Sequence, residues 1–214
     1  MALRVLHADE AVLVIDKPSG LLSVPGRGED RQDCVSRRIQ RLWADARVVH
    51  RLDMDTSGLM IMARGPSAQR RLSDAFAAQS IEKRYVAVVH GAMDASLAAA
   101  SGWQEIDLPI AADWLRRPLR VIDRQGGKPS LTRWRCLATD TAAQRTRLEL
   151  SPQTGRTHQL RVHLQAMGHP IVGDRLYGSN ADGAEGRLHL HASRLQFTHP
   201  MSGHELTFGS PVPF

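Results

Sequence analysis

The sequence predicts an α+β protein built on a mixed, largely antiparallel β-sheet flanked by helices. Strand-like runs rich in β-branched and aromatic residues outnumber the helical patterns. These runs do not alternate strictly with helices, as a parallel, doubly wound sheet would require. The 214 residues contain no internal repeat, no low-complexity linker and no clear boundary, so we expect one domain spanning residues 1–214.

The elements of the first half follow from local patterns. The apolar run Ala11–Ile15 predicts a buried strand, which Pro18 ends. Residues 33–43 predict a helix whose inward stripe has helical spacing: Val35, Ile39 and Leu42. Residues 48–64, VVHRLDMDTSGLMIMAR, predict two strands around a polar insert. Segment 66–79 then predicts an amphipathic helix, with Pro66 in its first turn and three inward residues, Leu72, Ala75 and Phe76.

The second half is richer in strands. EKRYVAVVHG at 82–91 predicts a strand, and we expect the Ala/Ser-rich segment 94–102 to be a surface loop. Several strands are expected over 116–150, with a turn at Gly126–Gly127. THQLRVHLQAM at 157–167 predicts a helix closed by Gly168, with an apolar stripe formed by Leu160, Leu164 and Met167. The last third alternates turns with strands, notably RLHLHASRLQF at 187–197.

Charge and composition favour a nucleic-acid partner. Lysine and arginine total 28 against 22 acidic residues, for a formal net charge of +6. The arginines between 116 and 135 suit an RNA backbone, although each alone also fits a solvated surface charge. The two cysteines form no CxxC pair, and no apolar stretch approaches the ~20 residues of a membrane span. We therefore expect a cytoplasmic protein without a disulfide framework.

The common cofactor and metal signatures are missing. GGKPS resembles part of a phosphate-binding loop, but Pro129 follows its lysine and the upstream glycine is absent. Neither GxGxxG nor GxSxG occurs in the sequence. His158 and His163 are five residues apart, which does not place two ligands on one helical face. We expect no metal and no cofactor.

The insert HRLDMDTSG is unusual for a connection between strands, because most hairpin loops are two to five small residues. In an extended geometry Arg51 and Asp53 could project to the same side. Thr56 and Ser57 could brace the turn, and Gly58 permits unusual dihedral angles. An ordinary surface turn remains the alternative, since turns favour these residue types.

HRLDMDTSG resembles the signature of the RluA-type pseudouridine synthases: His-Arg-Leu-Asp, two variable residues, then Thr-Ser-Gly. Four further segments agree in order, and the resemblance runs from about residue 9 to 212: DKPSGLLSVPG, EKRYVAVVHG, TGRTHQLRVHLQAMGHPIVGDRLYG and LHLHASRLQFTHP. DWLRRP and GKPSLTRW are similar to the short members with dual specificity for ribosomal and transfer RNA. Longer members carry an S4-like RNA-binding module, which we do not expect here.

The resemblance implies a mixed sheet with a central active-site cleft, and cofactor-free isomerisation of uridine in RNA. It marks Asp53 as the catalytic aspartate, Tyr85 as a residue that packs on the target base, and Arg161 as the partner of the aspartate. Arg51 is implied to help push the base out of its stack, with a phosphate contact as the alternative. Further candidates for substrate binding within the same motifs are His50, Thr56 and Arg156.

The chemistry is compatible with these residues. A carboxylate can attack the sugar, take a proton from its 2′ carbon, or stabilise positive charge at C1′, and the sequence does not distinguish these routes. A guanidinium at ~4 Å offsets the desolvation of that carboxylate by about 4 kcal/mol at an effective dielectric constant near 20. The expected substrates are 23S ribosomal RNA, the transfer RNA anticodon stem-loop, or both, acted on by a monomer. Alternative functions are an inactive RNA-binding domain and a metal-dependent hydrolase.

Overall fold

The structure, a computed structural model, describes residues 3–94, 96, 102–178 and 186–214. The chain divides into two compact units, Met1–Lys83 with His191–Pro213 and Arg84–Leu190 with Phe214. The predicted surface loop at 94–102 lies mostly outside the described residues. The described helices are α1 (Val35–Gln40), α2 (Gly65–Ala77) and α3 (Gln159–Ala166). The described strands are β1 (Arg4–Ala8), β2 (Val12–Lys17), β3 (Ala46–Val48), β4 (Ser57–Arg64), β5 (Glu82–His90), β6 (Gln104–Asp107), β7 (Ile110–Ala112), β8 (Arg120–Ile122), β9 (Leu131–Asp140), β10 (Arg145–Pro152), β11 (Leu190–Thr198) and β12 (Glu205–Gly209).

The sheet of the first unit has the order β1-β2-β4-β11-β12, and β3 also pairs with β4. The β4–β11 pair is parallel, while β1–β2, β2–β4, β3–β4 and β11–β12 are antiparallel. β4 is the most deeply buried of these strands, and residues 59–63 have no exposed surface. A strand covered on both faces needs a continuous apolar run, which explains the sequence LMIMA.

The helices of the first unit follow the predicted patterns with one exception. α2 begins at Gly65 with Pro66 in its first turn, and it packs Leu72 into the core. In α1, Val35 and Ile39 are buried as predicted. The inward placement of Leu42 is wrong, because α1 ends at Gln40 and the Leu42 side chain is 70% exposed.

The second unit contains the antiparallel sheet β5-β10-β9-β6 and the hairpin β7–β8. Burial alternates along β9 and the first half of β10, as in sheets with one solvated face. α3 packs Leu160 and Leu164 against Leu148 and Leu150. The predicted turn before β9 is confirmed, since the amide of Gly127 donates to the carbonyl of Asp123 at 3.0 Å.

The α+β class with a mixed, mostly antiparallel sheet is confirmed. The single domain and the active-site cleft stay predictions. Every helix in the described part of the chain is too short or too polar to cross a membrane.

Candidate active site

The loop between β3 and β4 carries the HRLDMDTSG motif and belongs to the first unit. β3 and β4 pair antiparallel with Val48 opposite Met62, so the predicted strand pair is confirmed. Leu52 is 6% exposed, whereas its neighbours Arg51 and Asp53 are exposed and half-buried, respectively. Leu52 therefore anchors the middle of the loop, and the two ionisable side chains lie closer to solvent.

Lys17, at the end of β2, is a buried lysine that is hydrogen-bonded to this loop. Its side chain is 1% exposed, and its ammonium donates to the carbonyl oxygens of Pro18, Leu21 and Met54 at 2.8–2.9 Å. Burial lowers the pKa of Lys17 to about 7, against the opposing charges of Asp55 and Asp53. Because Met54 directly follows Asp53, the Lys17–Met54 bond fixes the backbone beside the candidate catalytic carboxylate.

Three more bonds fasten the same loop to residues 19–23. The hydroxyl of Ser23 donates to the carbonyl of Leu52 at 2.7 Å and accepts from its amide at 3.1 Å. The hydroxyl of Ser19 donates to the carbonyl of Asp55 at 2.7 Å. Residues 17–23 thus form a clamp around the backbone of residues 52–55, which we call the loop clamp.

Lys17→Met is expected to destabilise the protein. It removes three hydrogen bonds to backbone carbonyls, of which the bond to Leu21 is fully buried. A buried polar group left without a partner costs about 1–3 kcal/mol. Because the folded pKa lies below the unfolded value of 10.5, the unfolded chain binds more protons between about pH 7 and 10.5. The contribution of Lys17 to stability therefore rises with pH in that window.

Chemical denaturation at pH 7 and pH 9 measures this effect. The difference in unfolding free energy between wild type and Lys17→Met is expected to increase by on the order of 2 kcal/mol from pH 7 to pH 9. Lys128→Met is the matched control, because Lys128 is exposed and surface substitutions usually stay within about 0.5 kcal/mol. If the difference in unfolding free energy between wild type and Lys17→Met does not change with pH, the lowered pKa of Lys17 is contradicted.

His50, a candidate for substrate binding, has partners inside the first unit. Its Nε2 accepts a hydrogen bond from the amide of Ile61 at 2.9 Å, and its ring stacks on Phe76 at 4.4 Å. Burial and the nearby charge of Lys83 lower the pKa of His50 to about 3. The imidazole is therefore neutral, as an acceptor must be, and it ties the start of the loop to β4 and α2.

The end of the motif joins β4 to β11. Thr56 is buried, and its amide donates to the carbonyl of Asp53 at 3.2 Å, closing the turn. Gly58 has φ +105°, and a Cβ there would lie 2.3 Å from the carbonyl oxygen of Ala192. The glycine of the signature is thus required by the close approach of the parallel neighbour.

A buried chain of hydrogen bonds supports the same junction. Ser210 donates to the carboxylate of Asp16 at 3.0 Å, so its oxygen accepts from Nε2 of His191 at 3.1 Å. Nδ1 of His191 then accepts from the hydroxyl of Ser57 at 2.9 Å. This chain fixes the first residue of β4, four positions after Asp53.

Tyr85 and Arg161, the other two predicted catalytic residues, lie in the second unit. Tyr85 is half-buried on β5, opposite Leu150 of β10, and packs against the core of that unit. Arg161 lies on α3 and is 3% exposed. It is therefore a buried cation and not the solvated helix residue that its charge alone would suggest.

Arg161 forms a bidentate ion pair with Asp174. Nε and Nη2 donate to the two carboxylate oxygens at 2.8 and 2.7 Å. The same carboxylate accepts from the amides of Leu176 and Tyr177 at 2.9 and 3.1 Å. Asp174 is thus fixed by its own turn and orients the plane of the guanidinium. The predicted pairing of Arg161 with Asp53 stays a prediction.

The start of α3 is held by polar side chains. The hydroxyl of Tyr177 accepts from the amide of Arg120 at 2.8 Å and bonds Nδ1 of His158 at 2.7 Å. Gln159 accepts from the amide of Arg156 at 3.0 Å, while the Arg156 side chain remains exposed and bonds the carbonyl of Pro129. Arg156 is therefore placed where it could contact a phosphate.

The histidines that invited a metal hypothesis are hydrogen-bonded. Both ring nitrogens of His163 have partners, the Thr132 hydroxyl and the Leu108 carbonyl, each at 2.9 Å. Burial lowers the pKa of His163 despite the bond to Leu108. Over the described ranges of the chain, no three histidine, cysteine or acidic side chains form a group able to hold a metal ion.

The predicted residues divide between the two units: His50, Arg51, Asp53 and Thr56 belong to the first, and Tyr85, Arg156 and Arg161 to the second. Sequence reasoning missed Lys17 and Asp174. Both stand in segments that resemble the family, DKPSG and GDRLYG, and a charged residue beside a turn in those segments was the available signal.

Comparisons of the sequence and of the structure with known proteins both find RNA pseudouridine synthases. The profile of the RNA pseudouridylate synthase family matches residues 11–166. The dual-specificity RNA pseudouridine synthase RluA of Escherichia coli K12 is 45% identical, over 99% of this chain and 94% of the relative. The Yersinia pestis protein of the same name is 43% identical, over 98% of this chain and 96% of that protein. The solved structure of human RNA pseudouridylate synthase domain containing 1 has TM-score 0.78 and 28% identity, covering 100% of this chain and 84% of that one.

Proposed function

Since the chain belongs to the RluA-type RNA pseudouridine synthases, we propose that Asp53 is the carboxylate with which it isomerises uridine to pseudouridine. The reaction breaks the bond between N1 of uracil and C1′ of ribose, turns the base, and joins C5 to C1′. The proton at C5 is released to solvent, and N1 takes up a proton once it is detached from C1′. The base must be turned out of its stack first, because the reacting atoms are not reachable within a helix.

The loop clamp is the observation that supports this role best. A half-buried carboxylate follows the anchor Leu52, and the backbone around it is bonded to Lys17, Ser19 and Ser23. A catalytic group held in this way needs no reorganisation when charge develops at the sugar. An ordinary surface turn would not require a buried lysine beneath it.

Arg161 and Tyr85 complete the proposal. The guanidinium of Arg161, oriented by Asp174, would keep Asp53 ionised in a dry site, and its charge survives burial where that of lysine would not. Tyr85 would supply a flat face for the extruded uracil. Arg51 and Arg156, both exposed, would contact the RNA. The internal bonds of His50 and Thr56 support roles in shaping the loop beside the RNA.

The names of the relatives support a proposal about the substrates. Those at 43–45% identity are named dual-specificity RNA pseudouridine synthases. Together with the sequence motifs, this supports 23S ribosomal RNA, the transfer RNA anticodon stem-loop, or both as substrates. We propose that a monomer acts on them in the cytoplasm without metal or cofactor.

Tritium release from RNA labelled at C5 of uridine tests the proposal. We expect the purified protein to release tritium from stem-loop RNA at a rate that a chelator does not change. An inactive RNA-binding domain would bind the same RNA and release none. A metal-dependent hydrolase would lose its activity with the chelator.

A further inference from the structure

The hairpin β7–β8 of the second unit ends in a tip with unusual exposure. Trp114 is 72% exposed and Leu115 is 97% exposed, the highest values for large apolar side chains in the described part of the chain. Neither residue is among those proposed for catalysis. Large apolar groups displayed together at a protein surface indicate a binding site more often than single ones do.

The hairpin is firmly attached to its own unit. Ile110 packs in a small core with Val162 and Tyr177, and Leu119 and Ile122 cover that core. The amide of Arg120 bonds the Tyr177 hydroxyl. The tip therefore projects from a fixed base beside α3.

The tip itself is ordered by polar contacts. Asp113 accepts from the amide of Arg116 at 3.0 Å and from its Nε at 2.7 Å. The amide of Leu119 donates to the carbonyl of Arg116 at 2.9 Å. The guanidinium of Arg117 lies 4.0 Å from the centre of the Trp114 ring. The indole is thus supported by a cation stacked on it while most of its surface stays open to solvent.

The charge around the tip favours a polyanion. Residues 113–124 hold four arginines and two aspartates. Asp113 forms an ion pair with Arg116, and Asp123 accepts hydrogen bonds from the amides of Gln125 and Gly126. Within the described ranges, no carboxylate pairs with the remaining three arginines, Arg117, Arg120 and Arg124. An aromatic face beside unpaired guanidinium groups is the combination that binds unpaired bases together with their phosphates.

We propose that this tip is a stacking platform for an unpaired base in the loop of the substrate RNA. The open face of Trp114 stacks on the base, and the neighbouring guanidinium groups contact the flanking phosphates. The inference rests on the proposed function for the identity of the RNA, and it adds a recognition element outside the catalytic residues.

Trp114→Ala tests the platform. Stacking of one base is worth about 1–3 kcal/mol, so KM for a stem-loop RNA should rise about 5- to 150-fold, with kcat within about twofold. Trp114→Phe keeps an aromatic face and should restore most of the affinity. Met201→Ala, which truncates an exposed apolar residue of the first unit, is the matched control and should leave KM unchanged. The thermal midpoint of all three variants should equal that of wild type.

Equilibrium binding separates this inference from the proposed function. Fluorescence polarisation of a labelled stem-loop should show the same loss of RNA affinity for Trp114→Ala. This measurement does not depend on activity, so it tests the platform even if the wild-type protein releases no tritium. Unchanged RNA affinity in Trp114→Ala would overturn the platform, whether the tip then contacts a protein or nothing. The platform would also be overturned if Met201→Ala lost as much RNA affinity as Trp114→Ala, or if Trp114→Phe bound RNA no better than Trp114→Ala.

Discussion

Asp53→Asn is expected to lower kcat for tritium release by more than about a thousandfold, which corresponds to at least ~4 kcal/mol of barrier. Asparagine keeps the size of the side chain but cannot attack the sugar, accept its proton, or stabilise positive charge as a carboxylate does. RNA affinity should stay within roughly tenfold of wild type, because phosphate contacts supply most of it.

The matched control for this substitution lies two residues away. Asp55→Asn makes the same chemical change in the same loop, where the charge of Asp55 acts on the buried Lys17. We expect it to retain activity within about tenfold. Equal losses in the two variants would indicate that the loop needs negative charge in general and that Asp53 has no special role.

Arg161→Lys is expected to lower kcat by about a hundredfold or more and to destabilise the fold. Lysine keeps a positive charge but cannot form the two-pronged bond with Asp174, and a lost hydrogen bond to a charged group costs about 1.5–3 kcal/mol. If the guanidinium also serves Asp53, activity should fall at temperatures where the variant is still fully folded.

Two comparisons isolate that catalytic part. Arg135→Lys makes the same change in the partly exposed pair Arg135–Glu149 and should cost less than about 1 kcal/mol with activity unchanged. Asp174→Asn keeps Arg161 but loosens its orientation, so kcat should fall more than KM changes. A folded Arg161→Lys variant with activity within threefold of wild type would remove Arg161 from the proposed mechanism.

Periodicity in the sequence predicted the main elements well because the core of each unit is formed by regular apolar patterns. The buried run of β4 and the inward stripes of α2 and α3 are local properties of the chain. The prediction that Leu42 points inward was wrong for a local reason too. This residue keeps the helical spacing, but α1 ends two residues earlier, and helix ends are set by neighbouring turns that the spacing does not encode.

The supports of the site could not be predicted in the same way. The position of a charged residue beside a turn was an available signal for Lys17, but lysine is almost never buried. The sequence therefore did not show that its side chain is buried and bonds the carbonyl of Met54, 37 residues away. The pair of Arg161 with Asp174 depends on a turn that returns the chain to α3. The candidate residues were found through a motif, whereas their supports are defined by tertiary contacts.

The most direct test of the central claim is the pseudouridine formed in stem-loop RNA by a large excess of enzyme. Excess enzyme removes any difference in binding, and carbodiimide-blocked reverse transcription locates the product. Wild type should give a stop at one uridine within the first time points. Asp53→Asn should give none even after prolonged incubation, and a stop at the same uridine with that variant would contradict the role of Asp53.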